Sequence, residues 1–301
     1  MRKLQLYVIV ILTLMRQTVL AQEKEYIIPF TLTPYNNISV QAILNGKDTV
    51  NLMFHTAAND ITLTEEATHK LKSLHFDAAV DGVKSWGGQE NSSRLSKNNS
   101  LQIGKLTWNN LEVWEDKNSG RNTDGKFGLE LFKDKAVEID FDKNIIVIHT
   151  TLPRKVKKFE KLPLTFKNGD MFLEAECETN GTVFKNKFLL HSGYSGGILF
   201  DDQFTADNKI SEKLKITGET ELKDSYGHVL KNKKAILPLF KIGNQTLTDV
   251  PVGFFEGAIG RQKISIIGGD ILKRFNIIID AQRSFVYLKA NHLKNLPYAN
   301  I

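Results

Sequence analysis

A chain of 301 residues, 41% apolar and 25% charged, is long enough for two domains of ordinary size, each with its own core. Of its formal charge of +6, Arg2, Lys3 and Arg16 supply three, and the rest is too mild and scattered to argue for a nucleic-acid partner. A single cysteine, Cys177, excludes any internal disulfide.

Met1 to Ala21 reads as a secretory leader, with basic residues, an apolar run from Leu6 to Leu14, and Val19-Leu20-Ala21 before the expected cleavage. The mature chain is expected to start at Gln22, and no later stretch is apolar for long enough to span a bilayer. The expected location is secreted or periplasmic, and export without disulfides fits a bacterial periplasm better. Cys177 alternates with Glu174, Glu176 and Glu178 and reads as a small core residue on a strand. Five Asn-x-Ser/Thr sequons, at Asn37, Asn91, Asn98, Asn180 and Asn244, matter only for a eukaryotic source.

Ile38 to Leu44 alternates apolar and polar residues, and Asn45-Gly46-Lys47 predicts a hairpin turn before a strand over Thr49 to Phe54. A small-residue turn follows at His55-Thr56-Ala57-Ala58, then Ile61-Thr62-Leu63 and a short helix over Thr64 to Leu74. Val137 to Asp140 and Asn144 to Ile148 predict another hairpin, turning at Asp142-Lys143. The charge run at Arg154 to Lys158 reads as a solvated linker between an N-terminal lobe, 22–152, and a C-terminal lobe, 153–301.

Past the linker the pattern returns. Phe172 to Glu178, the turn Asn180-Gly181 and Val183 to Leu190 lead into His191-Ser192-Gly193, 136 residues after the first such turn. Ser85-Trp86-Gly87 returns as Ser225-Tyr226-Gly227, and Gln102-Ile103-Gly104 as Lys241-Ile242-Gly243. Phe127-Gly128-Leu129 returns as Ile267-Gly268-Gly269 before a second short helix, Asp270 to Phe275. Phe275 to Asp280 and Ser284 to Leu288 repeat the hairpin of the first half. Five blocks in one order at nearly one spacing establish an internal duplication, and many short strands with regular turns predict an all-β architecture.

A strand, a Thr/Ser-small-residue turn, Ile-x-Leu, a Trp/Tyr-Gly hairpin and an apolar-Gly-x-x-Leu segment, found in both halves, resemble the aspartic peptidase family. The likeness runs from about Tyr26 to Leu288 and implies a two-lobed β-barrel fold of pepsin-like or fused retropepsin-like form, with a few short helices. It further implies a cleft between the lobes for a peptide or another extended substrate. In that family each lobe contributes an aspartate from an Asp-Thr/Ser-Gly turn. Thr56 and Ser192 would then lock the turns together, with Ala57 and Gly193 beside them. Trp86 and Gly87 would form a flap over the substrate, with Tyr226 and His228 on the matching hairpin.

The departure from the family is at the centre: His55 and His191 stand where the two aspartates are expected, and Ala57 replaces a glycine. Two carboxylates can share one proton and activate a water, whereas a protonated imidazole is a cation rather than a neutral acid. Acid-pH peptidase chemistry is therefore not expected. Three readings of the pair stay open. One is a hydrolase or lyase that uses the pair as base and acid near neutral pH, and one is an inactive cleft that binds peptides or glycans. The third is a site for a divalent metal such as zinc, which normally needs three protein ligands and could draw the third from His228. Identical residues at both positions argue for a requirement for imidazole. Asp140 and Asp280 read as turn-setting residues, and His69, His75, His149 and His292 as structural or exposed. No phosphate loop, nucleotide fingerprint or cysteine metal cluster is present, so no cofactor is expected beyond that candidate metal.

Overall fold

The structure, a computed structural model, describes residues 25–84, 90–223, 225, 229–255 and 262–299. The leader and the flap candidates Trp86, Gly87, Tyr226 and His228 lie outside them.

The described residues form one thirteen-stranded and one eight-stranded sheet, with four short α-helices and two 3-10 turns. Six antiparallel strands form one end of the larger sheet. Their order is Glu25–Pro29, Ile145–His149, Ala136–Asp140, Phe275–Ile279, Phe285–Ala290, Glu160–Lys167. The central pair comes from corresponding segments of the duplication, with Val137 opposite Ile279 and Ile139 opposite Ile277. Both strands are buried at every position, which their nearly unbroken apolar sequences allow because protein covers both faces.

Each half then repeats one crossing. Asp48–Phe54 runs parallel to Gly125–Phe127, and after the turn the chain returns as Ile61–Thr64 on the other side of that short strand. In the second half Thr182–Leu190 flanks Ser265–Ile267 and Ile198–Leu199 returns on its far side. The crossing carries each histidine turn to the end of a three-residue strand. It demands glycine at position 125, because a Cβ there would strike the Thr62 carbonyl oxygen. The two hairpins expected from Asn-Gly pairs are present, with φ of +52° and +65° at Asn45 and Gly46 and +49° and +72° at Asn180 and Gly181.

The first helix is shorter than its sequence suggests, covering Glu65–Thr68 under an N-cap in which Thr64 Oγ1 accepts from Ala67 N at 3.1 Å. Competing partners stop it: Thr68 Oγ1 donates to Glu115, and the Asp48 carboxylate accepts from the N–H groups of Lys72 and Ser73. The second lies at Gly269–Leu272, starting one residue earlier and ending three residues earlier than expected. A further helix, Asp202–Asp207, is capped by Asp201, whose carboxylate accepts from Phe204 N at 2.7 Å.

The charged segment at Arg154–Lys158 departs from a fully solvated linker, forming a 3-10 turn in which Lys155 Nζ reaches the buried Glu138 carboxylate at 2.6 Å. Glu138 also meets His149 Nε2 at 2.8 Å, so one cation of the run is pinned to the central sheet. Cys177 is fully buried among strands of the second half, and burial pushes its thiol pKa up. No helix among the described residues is long and apolar enough to cross a membrane.

Candidate functional site

His55 and His191 follow the strands Asp48–Phe54 and Thr182–Leu190. Each is held the same way: His55 N donates to Phe127 O at 2.9 Å, and His191 N to Ile267 O at 3.0 Å. The turns close alike, with Ala58 N donating to His55 O and Tyr194 N to His191 O. Because Phe127 and Ile267 end equivalent strands, the duplicated crossing brings the turns face to face.

Thr56 and Ser192 bind the turns to each other. Thr56 N donates to Ser192 Oγ and Ser192 N to Thr56 Oγ1, both at 3.0 Å. Thr56 Oγ1 in turn donates to Leu190 O at 2.6 Å, and Ser192 Oγ to Phe54 O at 2.7 Å. Each hydroxyl thus accepts one N–H and donates to one carbonyl of the opposite half, which suits a group with one proton and two lone pairs. Asn36 and Asn37 add a brace from the first half, donating to Ser195 O at 2.8 Å and Ser192 O at 3.3 Å.

The imidazole rings meet with centroids 4.5 Å apart, tilted by 59°. Ala57 N donates to His55 Nδ1 at 3.1 Å, so the proton of a neutral His55 is assigned to Nε2. The turns are not identical. A Cβ at Gly193 would collide with His55 Cδ2 and Nε2, so the second turn needs glycine where the first carries Ala57. His191 Nδ1 is buried and has no hydrogen-bond partner among the described residues.

Burial lowers the pKa of His191 to about 4, with Lys126 adding to the effect. Burial also lowers His55 well below its ordinary value, helped by the His191 ring and then by Lys126. Both imidazoles are therefore neutral at pH 7. Lys126 had no place among the residues picked from sequence, because it sits 71 positions after His55 in a segment that reads as plain strand. Its only sequence signal is a lone charge between Gly125 and Phe127 where the second half has Ile266.

Other candidates fall elsewhere. Asp140 accepts from Lys143 N at 3.1 Å and Asp280 from Ser284 N and Phe285 N at 2.8 Å, all in hairpin turns of the central sheet. His149 lies beside Glu138 and His292 beside Asp142, the latter at 2.6 Å. Among the described residues no three His, Cys, Asp or Glu side chains come together as a metal site.

The sequence matches the family described as aspartyl protease over residues 40–131, a segment that contains the first turn. No curated protein matches it. Among solved structures, an aspartic proteinase from Irpex lacteus superposes with a TM-score of 0.61 at 13% identity, covering 91% of this chain and 99% of that one. The fold of this chain is that of an aspartic proteinase.

Proposed function

We propose that the protein is an exported cleft-binding protein on an aspartic-peptidase fold, in which His55 and His191 stand in place of the two catalytic aspartates. They hold an extended ligand, a peptide or a glycan strand, by hydrogen bonds, and carboxylate-dyad hydrolysis is lost. The observation that carries this reading is the pair's geometry: the rings pack with centroids 4.5 Å apart, His55 buried and His191 half-buried, in surroundings that disfavour charge on either. An acid–base couple needs one imidazolium, and a group with a pKa near 4 is protonated to only about 0.1% at pH 7. Neutral His55 still offers a donor at Nε2, its Nδ1 being taken by Ala57 N, and neutral His191 has one donor and one acceptor nitrogen, which suits a main chain or sugar hydroxyls.

One observation favours a second reading, a hydrolase or lyase working at neutral pH. A neutral His191 whose covered Nδ1 carries the proton leaves its other ring nitrogen unprotonated, to take a proton from a ligand hydroxyl or water. A screen of peptides and glycosides at pH 7, with wild type, His55→Ala and His191→Ala, separates the two. Binding without turnover, weakened by about 0.5–1.5 kcal/mol per substitution, is expected for the binding protein. Turnover that drops roughly 100-fold or more with either substitution would replace it with the enzyme.

A further inference from the structure

The duplication lets the two walls beside the histidine pair be compared residue by residue. In the first half, Lys126 lies opposite Met53 in the strand pair that ends at Phe54 and Phe127. Its counterpart, Ile266, lies opposite Leu189 in the pair that ends at Leu190 and Ile267. Asp116 is paired with Thr64 at the end of Leu106–Asp116, and the same register in the second half leads to Phe255.

The walls therefore differ in kind. On the first, Lys126 Nζ lies 2.8 Å from the Asp116 carboxylate, their side chains only 15% and 8% exposed. It also lies 3.2 Å from the hydroxyl of Ser225, at the tip of a hairpin from the second half. Asn118 N donates to Ser225 O at 2.8 Å, so this corner is shared by both halves. On the second wall, Leu199 and Phe255 are buried, with Tyr194, Leu222 and Ile266 packed against them.

An ammonium carries three N–H donors. Asp116 and Ser225 take two of those of Lys126, and the third has no partner among the described residues. Asp116 offsets the charge, yet its side chain is the less exposed of the two and its carboxylate is already engaged by Lys126, so the group offered to a ligand here is a donor. Asp60, another carboxylate near Lys126, is exposed at the surface, and partial desolvation raises its pKa against the pull of Lys126.

We infer that the cleft selects a peptide with a carboxylate against Lys126 and a large apolar side chain, at the neighbouring position, against Tyr194, Leu222 and Ile266. The inference rests on the cleft-binding reading and names its ligand class. Successive side chains of an extended strand point to opposite sides, so one acidic–apolar dipeptide unit can address both walls.

The test is fluorescence anisotropy at pH 7 and low salt. Labelled, end-capped octapeptides carry a central Glu-Leu, Gln-Leu, Lys-Leu or Leu-Leu pair, and a further set ends in Leu with a free or amidated terminus. Glu-Leu is expected to bind about tenfold more tightly than Gln-Leu, a charge-assisted hydrogen bond in a partly covered site, with Lys-Leu weakest. A preference for the free terminus over Glu-Leu would keep the carboxylate and assign it to a chain end. Lys126→Ile alone strands Asp116, so the informative variant is Lys126→Ile with Asp116→Phe, which installs the pair of the second half. It should bind Leu-Leu best while its circular dichroism stays unchanged. Lys126→Arg should retain the acidic preference. Equal binding of Glu-Leu, Gln-Leu and Lys-Leu, or an acidic preference that survives the double substitution, overturns the inference while cleft binding stands. Silence of every peptide, with or without binding of an acidic oligosaccharide, overturns it too.

Discussion

Thr56 and Ser192, 136 positions apart, each donate a backbone N–H to the other's hydroxyl. Thr56→Ala or Ser192→Ala leaves a buried N–H and a buried carbonyl without partners, and each is expected to destabilise the protein by about 1–3 kcal/mol. Because both belong to one network, the double substitution should cost less than the sum. Thr56→Ser should be nearly neutral. Denaturant unfolding at pH 7 measures all four, and single losses within a few tenths would remove the exchange from the stability of the site.

Acid should weaken this protein through its histidines. Their folded pKa values lie below the ordinary 6.5, so the folded state prefers the uncharged form. That preference is fully present above pH 6.5 and is lost as pH falls towards the folded value, about 4 for His191. Each histidine should contribute on the order of 1 kcal/mol of lost stability per pH unit through that window. Thermal melts from pH 7.5 to 4.5 should show a slope that His191→Asn reduces. An unchanged slope in the variant would show that the rings titrate normally.

The unlike turns make a directional prediction. Gly193→Ala should displace the His55 ring, because the new methyl falls on its Nε2 edge, and ligand binding should fall with it. Ala57→Gly meets no such conflict and should cost no more than about 1 kcal/mol, from the added freedom of the unfolded chain. The histidine ring signals in a proton NMR spectrum report the displacement directly. Shifts of equal size in both variants would contradict the assigned asymmetry.

Arg274 is almost fully buried and holds the C-terminal segment, donating to Lys294 O and Leu296 O at 2.7 Å with its guanidinium carbon 3.8 Å from the Tyr298 ring centroid. The Asp270 carboxylate accepts from Ala299 N at 2.7 Å on the same side. Arg274→Met should cost about 3–5 kcal/mol, since it leaves Asp270 and several carbonyls with fewer partners. It should also open the chain after Asn291 to protease. Mass spectrometry of a limited digest checks the second effect independently of the first.

The barrels, the hairpin turns and the facing histidine turns were legible in sequence because each rests on local chemistry repeated once: alternation, Asn-Gly pairs and a Thr/Ser after each histidine. Thr64 was readable as a cap, but the short span of its helix was not, since Asp48 and Glu115 come from distant strands. Lys126 escaped for the same reason. Its meaning depends on Asp116 and Ser225, which pairing brings to it across the fold. The pinning of Lys155 to Glu138 was equally hidden, because a run of lysines carries no mark of which one finds a buried carboxylate.

The central antiparallel pair, Ala136–Asp140 against Phe275–Ile279, sets the order in which the molecule can be completed during synthesis. The first half can close its own hairpin and seat Glu25–Pro29 on it, yet the outer edge of Ala136–Asp140 stays bare until residue 279 has been made. An uncovered strand edge is an invitation to any other strand, including the same edge of a second nascent chain. The N-terminal half expressed alone should therefore self-associate through that edge. Supplying residues 153–301 in trans should convert those pairs into a reconstituted heterodimer, a complementation that makes the seam of the duplication visible in the test tube.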